Sequence, residues 1–257
     1  MRHHHEYPSG NLWTLLLSCL LLFSSSVDAQ QQVDKIYWYA QGGRVYDNWM
    51  GLVGRKEQRK RELNIADFLK NHPAYPEGGK QKGFITWRCK ECHGWDYRGV
   101  DGVYGKGDHF TGIDGVLGMM GRPEADILAI IRNETHSYTK EMIDDQSAKA
   151  LALFISEGLI DMQQWISDMG EVIQGDLENG RPHFDALCAI CHGLKGKKIN
   201  FNTPQKPRYL GGISRRNPWE VLHKIRNGHP GEQMINARSL TIQSQIDILK
   251  YVQQLSQ

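Results

Sequence analysis

Apolar positions recur at helical spacing in two corresponding parts of the chain. Near the C-terminus Ile242, Ile246, Leu249 and Val252 fall three or four residues apart, which lines them up on one helix face. Ala148, Leu151, Ile155 and Leu159 do the same about a hundred residues earlier, with Asp144 or Asp145 placed to cap the start. Gly180, Phe184 and Cys188 fall four apart and predict a further helix before residue 188. Two more apolar-patterned segments, "PEADILAIIRN" from Pro123 and "PWEVLHKIRN" from Pro218, each open on a proline at a helix start and close on Ile-Arg-Asn. The repetition predicts an all-α chain built as two related halves.

The pattern differs at the front. Arg2 and three histidines precede "LWTLLLSCLLLF" (Leu12 to Phe23), and "SSSVDAQ" follows, with Val27 and Ala29 as small residues before a cut ahead of Gln30. That is the layout of a secretory signal peptide, residues 1–29, and the apolar run is short for a membrane span. An uncleaved anchor is the alternative. No other apolar run approaches spanning length, so any membrane contact is expected through this segment or through a membrane-bound partner.

With 40% hydrophobic and 23% charged residues, the composition is that of a folded globular protein. Removing Arg2, Glu6 and Asp28 with the signal takes Lys+Arg from 31 to 30 and Asp+Glu from 29 to 27, a net charge of +3. A balance so near neutral points away from nucleic acid as a partner.

Cysteine usage changes the picture most. Cys19 lies inside the signal segment, and the other four all belong to one motif: "CKECH" at Cys89, Cys92 and His93, and "CAICH" at Cys188, Cys191 and His192. Cys-x-x-Cys-His is the attachment signature of c-type haem. Cysteines one helical turn apart reach two vinyl groups on one porphyrin edge, and the next histidine can supply a nitrogen to the iron. A thioredoxin-like redox pair would not need the histidine twice. A single zinc site would have to join halves 99 positions apart, from Cys89 to Cys188. Structural disulfides between adjacent turns would staple little. The expected cofactor is therefore two covalently attached haem c groups, held by Cys89, Cys92, Cys188 and Cys191.

A haem iron with one histidine has a second face to fill. Behind each "IRN" stand a loop histidine and then a methionine: His136 and Met142 in the first half, His229 and Met234 in the second. Met142 follows His93 by 49 positions and Met234 follows His192 by 42. The chain resembles tandem class I cytochrome c domains. "GRPHFDALCAICHG", Met234 and "ILKYVQQL" carry the likeness in the second half, with Gly180 and Phe184 facing Tyr251 where the terminal helices cross. The first half departs from it, with Gln81 and Ile85 at the corresponding positions and an insert, "GWDYRGVDGVYGKGDHFTG". The resemblance implies His93 and His192 as proximal iron ligands, with Met142 and Met234 as distal ones. His136, or water, is the alternative to Met142, and His229 the alternative to Met234. Met119 and Met120 align with Arg215 and Arg216 and are set aside.

The domain reading is a signal peptide (1–29), an N-terminal extension (30–75), cytochrome domain 1 (76–161), a linker (162–171) and cytochrome domain 2 (172–257). The extension is read as a solvated arm packed by Tyr37, Tyr39, Tyr46 and Trp49 on the first domain, or as a partner-binding cover. It includes the charge run "GRKEQRKRE". Trp87, Trp95 and Tyr97 are expected to wall the first porphyrin. From Lys195 to Arg216 the chain carries Lys195, Lys197, Lys198, Lys206, Arg208, Arg215 and Arg216 and no acid, a docking patch for an acidic redox partner or a solvated basic loop. The functional expectation is a periplasmic electron carrier passing single electrons between redox proteins. A dihaem oxidoreductase with one open iron, such as a peroxidase, and a cytochrome subunit of a larger complex are the alternatives. A sulfur-compound dehydrogenase with a cysteine distal ligand is disfavoured, since no cysteine is spare.

Overall fold

A computed structural model describes residues 30–52 and 63–256. The signal segment and the charge run lie outside the described residues. The chain divides into two units, residues 1–37 and 38–257. In the first, the described residues 30–37 are helical. Among the described residues no helix is long and apolar enough to cross a membrane.

The second unit is all-α. Its described helices are α1 (38–52), α2 (Cys89–His93), α3 (Glu124–Arg132), α4 (Asp145–Leu153), α5 (Leu177–Leu187), α6 (Ala189–His192), α7 (Leu210–Arg216), α8 (Pro218–Asn227) and α9 (Ile242–Gln254). Strand structure among the described residues is limited to two isolated bridges, Gly99–Asp114 and Ile166–Val172.

Local chemistry sets the helix starts. The Asp144 carboxylate accepts from the Ser147 amide to open α4, Thr241 accepts from Ser244 to open α9, and Asn217 accepts from Glu220 ahead of Pro218 in α8. Each cap satisfies an amide that has no partner inside its helix. The expected apolar stripes face inward: Ala148, Leu151, Ile155 and Leu159 are buried, as are Ile246, Leu249 and Val252.

Terminal helices cross at small residues. A Cβ on Gly180 in α5 would collide with the Asp247 carbonyl oxygen of α9, and the Phe184 and Tyr251 rings lie beside this crossing with centres 5.4 Å apart. The first half contains the same device, displaced along the chain. A Cβ on Gly42 in α1 would collide with the Ala150 carbonyl oxygen of α4, and one turn later Tyr46 packs its ring 5.9 Å from Phe154. Gln81 and Ile85 do not take this role. They precede α2 around a 3-10 turn, Gly83–Trp87, and Ile85 is 39% exposed.

Residues 38–52 pack into the core rather than lying in solvent, with Tyr46 and Trp49 set against the first half as expected. Tyr46 and Trp49 are almost completely buried, and their polar tips bond to the carbonyls of Gly94 (2.6 Å) and Trp87 (3.0 Å). Removing each ring from water contributes on the order of 2 kcal/mol. The opposite side of α1 meets the second half. Gly43 abuts the Asn227 side chain, and the Gly43 carbonyl accepts from His223 Nε2 at 2.9 Å. One apolar cluster consequently runs from Val45 and Tyr46 through Leu151 and Phe154 to Phe184, Leu222 and Ile246. Met162 and Ile166 of the 162–171 segment are buried as well.

Candidate functional site: two apolar cavities with a shared wall

Each Cys-x-x-Cys-His forms a short helical turn ended by glycine. Gly94 and Gly193 adopt φ values of +80° and +75°, a left-handed conformation that suits glycine. Their amides bond back to Lys90 (3.0 Å) and Ala189 (2.7 Å). All four cysteines are free thiols. Burial pushes the Cys89 and Cys92 thiols up to about 12 and Cys188 up to about 11. Neither thiol of the first motif is thus the lowered, nucleophilic thiol of a redox-active pair.

The first motif opens onto a cavity of about 390 Å³. Cys89, Cys92 and His93 line it from one side, with Val116, Ile127, Ile131, Tyr138, Leu151 and Ile155 among its apolar walls. His93 Nδ1 donates to the Asp114 carbonyl at 2.6 Å. A carbonyl can only accept, so the neutral ring keeps its lone pair on Nε2. Burial lowers the His93 pKa, favouring the neutral form that metals require.

His136 and Met119 also line this cavity, whereas Met142 does not. Met142 packs partly buried against the core, on a segment whose carbonyls at Tyr138, Thr139 and Ile143 accept from the Arg132 guanidinium at 2.9, 2.8 and 2.6 Å. His136 is anchored differently. Asn133 Oδ1 accepts from its amide at 3.0 Å and stands 3.2 Å from its Nδ1. Its carbonyl accepts from Nε2 of the buried His72 at 2.8 Å, while His72 Nδ1 accepts from the Ala74 amide at 3.1 Å, which fixes the His72 tautomer. Burial lowers the His136 pKa.

The second motif opens onto a cavity of about 610 Å³, lined by Cys188, His192, Met234 and His229, with Phe184, Trp219, Ile225 and Val252 among the apolar walls. Cys191 is exposed. His192 Nδ1 is buried and has no hydrogen-bond partner. Arg44 of α1 holds the methionine loop, donating to the Asn227 carbonyl at 2.8 Å and to that of Met234 at 2.9 Å. Arg208 and Arg216 also line this cavity.

The aromatic insert of the first half takes an unexpected place. Val103, Tyr104, Lys106 and His109 line the second cavity. His109 Nδ1 lies 2.7 Å from a carboxylate oxygen of Glu91, and Lys90 Nζ lies 2.6 Å from the other. Lys90 and Glu91 stand between Cys89 and Cys92, so the turn that opens on the first cavity supports the wall of the second. Trp95 is buried between the ammonium groups of Lys90 and Lys224, each 5.4 Å from its ring centre.

Both cavities lie within the roughly 300–1,000 Å³ usual for bound small molecules and cofactors. Apolar walls, paired thiols and a histidine with unused lone-pair capacity fit a covalently attached porphyrin iron. Among the described residues no group of three or more His, Cys, Asp and Glu side chains is placed to hold a bare metal ion. The two cysteine pairs do not converge, since Cys89 and Cys92 line one cavity and Cys188 the other. No protein-family model, curated protein or solved structure matches the chain.

Proposed function

We propose that the chain is a periplasmic dihaem c-type cytochrome, built from two tandem cytochrome c halves, that carries single electrons between redox proteins. The observation that carries the reading is the pair of apolar cavities with a common wall, each with Cys-x-x-Cys-His at its edge. Haem, when bound, supplies a one-electron iron couple. Cys89 and Cys92 hold one group, and Cys188 and Cys191 the other. His93 and His192 offer the proximal nitrogens. In the second cavity Met234 serves as distal ligand, on a loop that Arg44 fixes. The apolar walls exclude water and so limit reorganisation around the iron.

The second cavity also offers the exit surface. Ile190, between the two cysteines, is 75% exposed, and Leu194 is 65% exposed. Lys195, Lys197 and Lys198 beside them are exposed as well. An apolar spot ringed by cations suits an acidic redox protein, with charge acting mainly on encounter rate. The test is the mass of the mature protein after denaturation and extraction of non-covalent cofactors. Two retained haem masses support the proposal, and a bare polypeptide mass from a haem-competent host removes it.

A further inference from the structure

We infer that His136, rather than a methionine, is the distal iron ligand of the first haem, so that the two haems are unequal: histidine–histidine in the first half and histidine–methionine in the second. This rests on the reading of two attached haems and adds a ligand to it. The His93 and His136 rings both line the first cavity, with their centres 6.2 Å apart. His136 is thus an imidazole in the same cavity wall as the proximal His93, where a second nitrogen ligand could be offered.

The chain around His136 is built to hold it there. Asn133 fixes the loop from the front and His72 holds the His136 carbonyl from behind. His72 sits in the segment ahead of the first motif, which has no counterpart before the second. Met142 is outside the cavity wall, and Met119, which is in it, lies on a 3-10 turn with no comparable anchoring to the His136 loop. Imidazole in place of thioether favours ferric iron, so the first haem has the lower potential. Electrons then run downhill from the first haem to the second, where the basic surface lies.

The test uses the holo-protein, with ligand spectroscopy, a redox titration and carbon monoxide as probe. Native protein is expected to show one sulfur-to-iron charge-transfer band per two haems, two separated one-electron steps, and no carbon monoxide binding. His136→Ala should bind carbon monoxide at one iron of two, and His136→Met should raise the lower potential and double the sulfur band. Met142→Leu and Met119→Leu should leave the band and both potentials unchanged. Loss of half the sulfur band in either methionine variant would overturn the assignment, as would two such bands in the native protein. If His136→Ala fails to fold, the native band count and the two methionine variants still decide. A protein with no attached haem would instead overturn the functional reading itself.

Discussion

Replacing His223 with glutamine should flatten the acid sensitivity of this fold. His223 is completely buried between α1 and the first-half insert, with Nδ1 accepting from the Tyr97 hydroxyl at 2.8 Å and Nε2 donating to the Gly43 carbonyl at 2.9 Å. Burial, which outweighs the nearby Asp47 carboxylate, pushes its pKa down to about 3. Lys224 and Arg238 push the same way. The unfolded ring, near 6.5, takes up its proton first, so stability contributed by the neutral ring is complete above about pH 6.5 and drains away as pH falls towards 3. Linkage then gives a loss of about 2 kcal/mol between pH 7.5 and pH 5, and about 5 kcal/mol at the acid limit. Glutamine offers one acceptor and one donor in a similar reach and does not titrate. Urea unfolding followed by circular dichroism at the two pH values measures the difference. The variant starts less stable at pH 7.5, and its loss on acidification should be about 2 kcal/mol smaller than the parent's. An equal loss in both proteins would refute the argument that a neutral His223 joins the halves.

Alanine at Gly42 or at Gly180 should each cost about 1–3 kcal/mol in the same unfolding assay, because either methyl group meets a backbone carbonyl across a helix crossing. Gly78→Ala, where nothing stands within 4 Å, is the control and should be close to neutral. Arg44→Gln removes two charge-assisted bonds to the methionine loop, about 2–4 kcal/mol of local restraint, and should let carbon monoxide reach the second iron of the reduced protein while Arg44→Lys restores part of the closure. Glutamate at both Lys197 and Lys198 should slow electron exchange with an acidic partner and reduce its dependence on salt, and an unchanged salt dependence would place the docking surface elsewhere.

The helices of the second half were legible because their signals are local. Asp176, Asn217 ahead of Pro218, and Thr241 cap α5, α8 and α9, apolar stripes run along them, and Gly180 and Phe184 stand at fixed offsets before their motif, whereas α6 and α7 open without a side-chain cap. The first half hid its equivalent contact because Gly42 and Tyr46 are separated from Cys89 by a long intervening segment, and offsets counted back from the motif land on Gln81 and Ile85 instead. Periodicity also could not show that α1 serves both halves. That depends on Gly42 and Gly43 facing different neighbours, which two adjacent glycines in a sequence do not announce. The cysteine and histidine positions at the cavity edges followed from the motif alone. Which distal side chain enters the first cavity did not, because His136 and Met142 are both within loop reach and the choice is made by Asn133, His72 and Arg132. The sequence places the insert after His93 beside its own cavity; its contribution to the other, through Val103, Tyr104, Lys106 and the half-exposed His109 held by the buried Glu91, depends on tertiary packing that no local pattern announces.

The measurement that bears most directly on the electron-carrier reading is the absorption spectrum of the fully reduced native protein before and after carbon monoxide. Two tightly held distal ligands leave neither iron open, so no change is expected at either haem. A shift in half the haem absorption would mean one iron is open, contradicting the carrier and pointing to a dihaem oxidoreductase.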